Sequence, residues 1–181
     1  MINFRLMRQE HLAIVLSWRT QEDITRCLFT DLDQPELEKQ KRWFAKVSSD
    51  PTCKYLVICD DDRPFGVLFI TELDRGNRRA SYGFYIGLHE YRRLAGMIPP
   101  IFYNYAFSSE GLALNKLVFE VFSWNEPVLN LHKAHGVRVV GVLKEHILKN
   151  LKWHDVTLLE MRAADWQAKK EWARARAEFK R

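Results

Sequence analysis

The chain has 181 residues, is 47% hydrophobic and carries a formal charge of +5. That length and apolar content suit one globular domain with a sizeable core. No apolar run approaches the ~20 residues of a membrane span, and the start Met1-Ile2-Asn3-Phe4-Arg5 lacks the long apolar segment of a signal peptide, so the cytoplasm is the expected location.

Residues 3–7 alternate loosely and read as a first strand. Residues 10–19 place Leu12, Val15, Leu16 and Trp18 at helical spacing, and residues 23–29 suit a second short helix. Asp33-Gln34-Pro35-Glu36 reads as a helix start, with a capping Asp, an early Pro and acids in the first turn; the helix carries Leu37, Trp43, Phe44 and Val47 and stops before Pro51. A meander follows: strand 55–59, a turn at Asp60-Asp61-Asp62-Arg63-Pro64, strand 65–73, a turn at Arg75-Gly76-Asn77, and strand 80–87. The three cysteines, Cys27, Cys53 and Cys59, are odd in number and have no metal-ligand spacing, so they read as free thiols and no metal is expected.

The stretch 80–136 organises the rest. The apolar strand leads into a basic loop, 89–96, then a helix, 97–110, a second strand, 116–124, and a short helix opened by Asn125 and closed by Gly136. Pro99 and Pro100 lack N–H groups and fit only a first helical turn. The helix should therefore begin near Gly96 or Met97, leaving the amides of Leu94, Ala95, Gly96, Met97 and Ile98 bare beside Arg92 and Arg93, a phosphate-binding arrangement. Asn125, Leu129 and His132 fall at i, i+4 and i+7 and share one face. Two more strands, 139–147 and 153–161, complete the sheet, and residue 164 onward is helical by propensity. Residues 163–181 hold six Lys/Arg against three Asp/Glu, so most of the positive charge lies in a solvated tail rather than on a nucleic-acid or membrane surface. Helices gather early and strands run through the middle, the order of an α+β chain with a mixed sheet rather than a doubly wound one. One domain spans 1–166, with a basic helical tail over 167–181.

These residues resemble the GNAT N-acetyltransferase superfamily. The resemblance is carried by Tyr82-Gly83-Phe84-Tyr85-Ile86-Gly87, Tyr91-Arg92-Arg93-Leu94-Ala95-Gly96, Tyr105-Ala106-Phe107, Leu114-Asn115-Lys116-Leu117, Glu120-Val121, Asn125, and Asn130-Leu131-His132-Lys133-Ala134-His135-Gly136-Val137. Trp18-Arg19-Thr20, Ile24 and Trp43-Phe44, with Asp155 and Asp165-Trp166, are similar to a subgroup. It holds the ribosomal-protein alanine acetyltransferases and the amino-sugar-nucleotide acetyltransferases of pseudaminic acid synthesis, the latter the nearer likeness. The sequence departs from the pattern at Ile98, where a small residue is usual, at His132, which stands for the tyrosine acid, and at Val137 and Thr20, which stand for Phe and Asn.

The resemblance implies a central, mostly antiparallel sheet with a splayed parallel strand pair. It implies acetyl-CoA as cofactor, held by Phe84, Tyr85 and Ile86 along the first wedge strand, by residues 92–97 at the pyrophosphate, and by Asn125 and His132. Gly83 would mark a bulge or a close approach. His132 would protonate the departing sulfur, or only contact it, and Glu72, Glu120 or His89 would take the proton of the amine. Trp18, Arg19, Arg26 and Trp43 would line the acceptor pocket, guanidiniums pairing with phosphate and aromatics stacking on a base. The acceptor is then the 4-amino group of UDP-4-amino-4,6-dideoxy-N-acetyl-β-L-altrosamine. Asp31, Asp33, Glu36 and Glu38 keep a polyamine or a protein N-terminus open as acceptors, and the altered loop keeps open a catalytically silent acyl-CoA-binding module. The sequence leaves the oligomeric state open, a homodimer included.

Overall fold

A computed structural model describes residues 1–32 and 35–178. Among them, seven strands form one sheet in the order β1-β2-β3-β4-β5-β7-β6. They are β1 (Ile2–Leu6), β2 (Lys54–Asp60), β3 (Arg63–Asp74), β4 (Arg79–Ile86), β5 (Lys116–Phe122), β6 (Arg138–Lys149) and β7 (Lys152–Arg162). Every neighbouring pair is antiparallel except β4 and β5. The mixed, mostly antiparallel sheet expected from the chain order is the one observed.

The central strands are apolar without alternation: Leu56, Val57, Ile58 and Cys59 on β2 are all buried, as are Val67 and Leu68 on β3. Strands covered on both faces read this way. The helices α1 (Leu12–Arg19), α2 (Glu22–Thr25) and α3 (Leu37–Ser49) cover one face. There Leu12, Val15 and Trp18, one stripe of α1, close a small core with Val57, Cys59 and Val67. The helices α4 (Ile98–Phe107), α5 (Glu126–Ala134) and α6 (Ala163–Glu178) follow later in the chain. Phe102, Tyr103 and Ala106 of α4, Leu129 of α5 and Trp166 of α6 join the larger core with Leu68, Ile70, Leu117 and Leu159.

Several boundaries differ from the sequence reading for visible reasons. α3 begins at Leu37 behind Glu36, whose side chain makes no cap bond; the capping role read for Asp33 lies outside the described residues. α4 stops at Phe107 rather than 110, because the chain turns back onto the helix end: Leu112 N–H is given to the Tyr105 carbonyl at 3.1 Å and Leu114 N–H to that of Ala106 at 2.9 Å. Gly111 permits this crossing, since a Cβ there would lie 1.9 Å from the Tyr105 oxygen. α5 ends as read, at Gly136 with φ 85, the left-handed stop that glycine allows. On the outer strands, Glu160 of β7 is buried and bound by Lys116 of β5 at 2.6 Å and by Arg138 Nε of β6 at 2.9 Å.

Candidate active site

β4 and β5 run together for two residue pairs only, Arg79 with Lys116 and Ala80 with Leu117, and then part. The direction of the backbone groups along β4 follows from its ends. Asn115 N–H is given to the Arg78 carbonyl on the β5 side, and Gly87 N–H to the Phe65 carbonyl on the β3 side. The register with β3 is continuous from Ser81 to Ile86. In-plane groups alternate along a strand, so those of Tyr82, Phe84 and Ile86 face the gap and those of Ser81, Gly83 and Tyr85 face β3. Phe84 and Ile86 are therefore placed along the wedge as read. Tyr85 is not: its backbone is paired with β3 and its ring lines a cavity on the α1–α3 face.

The basic loop differs from the reading. Residues His89–Met97 form a 3-10 helix that runs directly into α4. Each N–H of such a helix goes to the carbonyl three residues back, as Ile98 N–H goes to Ala95. Of the amides read as bare, that of Ile98 is thus taken up within the turn. Arg92 is paired with Asp23 and lies 3.5 Å from Gln21 Oε1, while Arg93 is exposed. Gly96 has open space, with only Leu131 Cδ1 at 3.7 Å from a notional Cβ, and its carbonyl accepts from His135 Nε2 at 2.9 Å. A nine-residue 3-10 run is long for its weak hydrogen-bond geometry.

His132 lies on the buried face it shares with Asn125 and Leu129. Its ring packs on Phe119 at 4.7 Å, and Nδ1 is 3.5 Å from the Tyr103 hydroxyl, which in turn meets the Tyr82 hydroxyl at 2.7 Å. Burial, with a smaller push from His135, lowers the His132 pKa to about 4. Such a ring is held uncharged at neutral pH. Asn125 is the first-turn neighbour of α5, but its side chain makes no cap bond.

On the α1–α3 face, beside the splay, lies a cavity of about 800 Å³. Its walls bring together Tyr55, Phe69, Tyr85 and Trp43 with Arg19, Glu72 and Glu120. Glu72 sits at a bulge between Thr71 and Asp74 with φ 52, and Glu120 lies 4.0 Å from His146. Arg19 gives Nη2 to the carbonyl and hydroxyl of Thr30 at 3.0 and 3.1 Å, while its Nη1 is buried without a partner among the described residues.

Two residues assigned to this pocket are elsewhere. Trp18 is 2% exposed and packs over Gly87, where a Cβ would come 2.1 Å from its ring; it is a core residue. Arg26 is exposed and outside the cavity wall. His89 is exposed at the start of the 3-10 helix, also away from the wall. Gly83 serves the core as well, since the Phe69 ring fills the space of its missing side chain. Tyr55 is a wall residue that the sequence reading misses, and Tyr85 one that it places against the cofactor instead. Their only signal is parity: Tyr55, Phe69 and Tyr85 face one side of three adjacent strands, and registers of 55 with 69 and 67 with 85 become visible only once the strands pair.

A mixed sheet that parts at its parallel pair, with a cavity of acids and aromatics at the parting, is the architecture of an acyltransferase that draws its thioester in as an added strand. Residues 4–158 match the acetyltransferase (GNAT) domain family, and the chain belongs to that family. It is 23% identical to the acetyltransferase PseH of Campylobacter jejuni subsp. jejuni serotype O:23/36 (strain 81-176) over 157 residues, covering 87% of this chain and 96% of that one. Its fold is similar to spermidine N-acetyltransferase from Vibrio cholerae solved with CoA and spermine: TM-score 0.83, 18% identity, covering 92% of this chain and 98% of that one. A phenylalanine-to-alanine mutant of the spermidine N-acetyltransferase from the same organism gives TM-score 0.79 at 17% identity, covering 93% of this chain and 99% of that one. The protein is an acetyl-CoA-dependent N-acetyltransferase. No described helix is long and apolar enough to cross a membrane.

The wedge fits the pantetheine arm of acetyl-CoA, because β4 presents an edge past Ala80 with no strand against it. The cofactor supplies an acetyl group activated as a thioester. The in-plane groups of Tyr82, Phe84 and Ile86 are the ones that would pair with the arm, and Arg92 and Arg93 would supply positive charge to its phosphates.

Proposed function

We propose that the acceptor is the 4-amino group of a UDP-linked 4-amino-4,6-dideoxy sugar. The observation that carries this is Arg19 in the cavity wall with Nη1 buried and, among the described residues, unpartnered. A buried donor left unsatisfied costs roughly 1–3 kcal/mol, which a bound acceptor atom relieves. A diphosphate oxygen or a uracil carbonyl is such an atom, and Tyr55, Phe69, Tyr85 and Trp43 offer ring faces for a base. The sequence likeness to amino-sugar-nucleotide acetyltransferases supports the same choice.

The acids of the cavity favour a polyamine less than their number suggests. Asp31 is paired with Lys149, and Glu36 with Lys39 at 3.6 Å. A polycation would meet the Arg19 guanidinium and two carboxylates already paired, with Glu72 and Glu120 left to face it.

In this reading Glu72, at the strained bulge, receives the proton that the amine gives up, directly or through one water. Glu120 lines the same space and orients the acceptor. The N–H of Phe84, facing the gap, stabilises the charge that gathers on the thioester oxygen. The departing thiolate, with a thiol pKa of ~8.5, takes its proton from water while Glu72 returns the amine's proton to water, so the balance needs no charged histidine. His132 contacts the sulfur side of the wedge as a neutral ring.

A thiol-release assay tests the acceptor. With acetyl-CoA saturating, UDP-4-amino-4,6-dideoxy-N-acetyl-β-L-altrosamine, spermidine and an alanyl peptide are compared. Turnover with the sugar nucleotide at least about a hundredfold above the others, ~2.7 kcal/mol of discrimination, is the expected result. Preferred turnover of spermidine overturns the reading.

A further inference from the structure

The hairpin between β6 and β7 turns through Asn150 and Leu151, with φ 50 and 58, the left-handed pair of a tight two-residue turn. Lys149, the last residue of β6, lies beneath that tip and is only 6% exposed. A lysine is almost never buried unless its ammonium is paired. Here the pairing is complete. Nζ donates to the carbonyl of Thr25 at 3.1 Å, to the carbonyl of Leu28 at 2.9 Å and to the carboxylate of Asp31. Three protons meet three acceptors, and all three acceptors belong to the end of α2 and the segment that joins it to α3, more than a hundred positions earlier in the chain.

That segment is a wall of the acceptor cavity, to which Leu28, Phe29, Thr30 and Asp31 contribute. Its described residues carry no regular secondary structure beyond Thr25. Besides Lys149 the segment is tied by the Thr25 hydroxyl to the Arg19 carbonyl, by turn bonds from Arg26, Cys27 and Leu28, by Leu28 against the core under α1, by the Phe29 ring edge-on to Phe122 at 4.8 Å, and by Thr30, which accepts twice from Arg19 Nη2. The tie at Thr30 matters most. By occupying Nη2, Thr30 determines where the unpartnered Nη1 of Arg19 sits. Lys149 itself is not among the residues that line the cavity. It reaches the acceptor only through the wall.

We propose that Lys149 is a positioning residue for the acceptor: the hairpin tip clamps residues 25–31 against the sheet, and the clamped wall holds Arg19 in register with the acceptor. The inference rests on the reading of this cavity as the acceptor site. It makes acceptor affinity depend on a hairpin that touches no substrate and lies apart from the cofactor wedge. A compact ammonium suits the task, because its three donors radiate from one atom, whereas a guanidinium's planar fork does not match acceptors gathered around a point.

The test uses the full-length protein with Lys149→Met, which keeps the stem and removes the donors, and Asp31→Asn, which weakens one of the three bonds. Amide hydrogen exchange over 25–31 is measured without ligand, CoA affinity by calorimetry, and steady-state rates with UDP-4-amino-4,6-dideoxy-N-acetyl-β-L-altrosamine as the probe acceptor. For Lys149→Met, exchange over 25–31 should rise about tenfold with the β2 and β3 amides unchanged. The acceptor KM should rise about tenfold, with kcat held within about threefold and the CoA dissociation constant unaltered. Asp31→Asn should move the same quantities less, and it carries the test if Lys149→Met does not fold. Unaltered exchange over 25–31, or losses spread evenly over exchange, CoA affinity and kcat, would overturn the proposal. Should the wild type not turn over the sugar nucleotide, the acceptor reading falls separately, and the exchange over 25–31 alone decides the clamp.

Discussion

Gly83 and Phe69 share one space: a Cβ on Gly83 would lie 2.4 Å from Phe69 Cζ. The two residues are register partners on β4 and β3, and Phe69 lines the acceptor cavity. A methyl group on Gly83 must therefore push the ring into that cavity. Overpacking of this kind costs about 1–3 kcal/mol. Gly83→Ala is expected to lower the unfolding free energy by that amount and to raise the acceptor KM. Phe69→Leu in the same chain should recover most of the stability. CoA affinity should be kept in both, because the in-plane groups of Gly83 face β3 and not the wedge. Denaturant unfolding and CoA calorimetry check the pair; a Gly83→Ala protein that loses CoA binding while staying folded would show that the glycine serves the cofactor.

Glu72 holds a left-handed backbone at φ 52 in the β3 bulge. Such strain on a non-glycine residue costs on the order of 1 kcal/mol and collects at functional sites. Glu72→Gln keeps the shape and removes the base, so kcat should fall about a hundredfold or more with the CoA dissociation constant unchanged. Glu72→Gly should fall as far in kcat with stability nearly unchanged, since the relief of strain is offset by the backbone entropy that glycine loses on folding. A Glu72→Gln enzyme with wild-type kcat would move the base to Glu120.

The order of strands and helices is legible in the sequence because each has its own apolar period. β2 and β3 are continuous apolar runs, α1 carries Leu12, Val15 and Trp18 on one stripe, and Pro99 and Pro100 mark the first turn of α4. Registers and faces are not legible. Trp18, at a helix position beside Arg19, looks the same in sequence whether it turns to a pocket or to Gly87. Arg19 and Glu72 can be named as candidates, but not the Thr30 bond that leaves Arg19 Nη1 bare, nor the left-handed φ that marks Glu72. Lys149 gives no local signal at all, since its three partners are brought to it only by folding. The 3-10 form of 89–97 is hidden because both helical forms place Arg92, Arg93 and Gly96 on a turn.

That turn carries its own prediction. Arg93 is exposed and Arg92 is engaged by Asp23 across to α2. Replacing both arginines with alanine should weaken CoA binding about tenfold or more and flatten its salt dependence. Asp23→Asn should do the reverse, tightening CoA a few-fold at low salt by releasing Arg92. Because 3-10 hydrogen bonds are poorly aligned, the amides of 92–97 should exchange readily in the free protein and become protected once CoA is added. If exchange in this segment is indifferent to CoA, and the double variant binds CoA as the wild type does, the phosphates are held elsewhere.

His132 links the buried aromatic cluster to pH. Its pKa is lowered to about 4, first by burial and then by His135, whereas an unfolded histidine titrates near ~6.5. Between these values the unfolded chain binds a proton that the folded protein does not. Stability is therefore complete above the unfolded pKa, falls as pH drops from ~6.5 toward 4, and stops falling on this account below it. A shift of that size corresponds to about 3 kcal/mol over the window. Other groups also titrate on acidification, so the measurement is a difference. Unfolding free energies of wild type and His132→Gln are compared by denaturant titration at about pH 7.5 and near pH 4.5, and the gap between them should shift by about 2–3 kcal/mol in favour of the glutamine variant at the lower pH. The same variant reports on catalysis. A neutral imidazole hydrogen-bonded to Tyr103 donates no proton as an acid near pH 7, so kcat of His132→Gln at about pH 7.5 should stay within about threefold of wild type. A hundredfold fall with the fold and the CoA affinity intact would instead return the proton of the departing sulfur to His132.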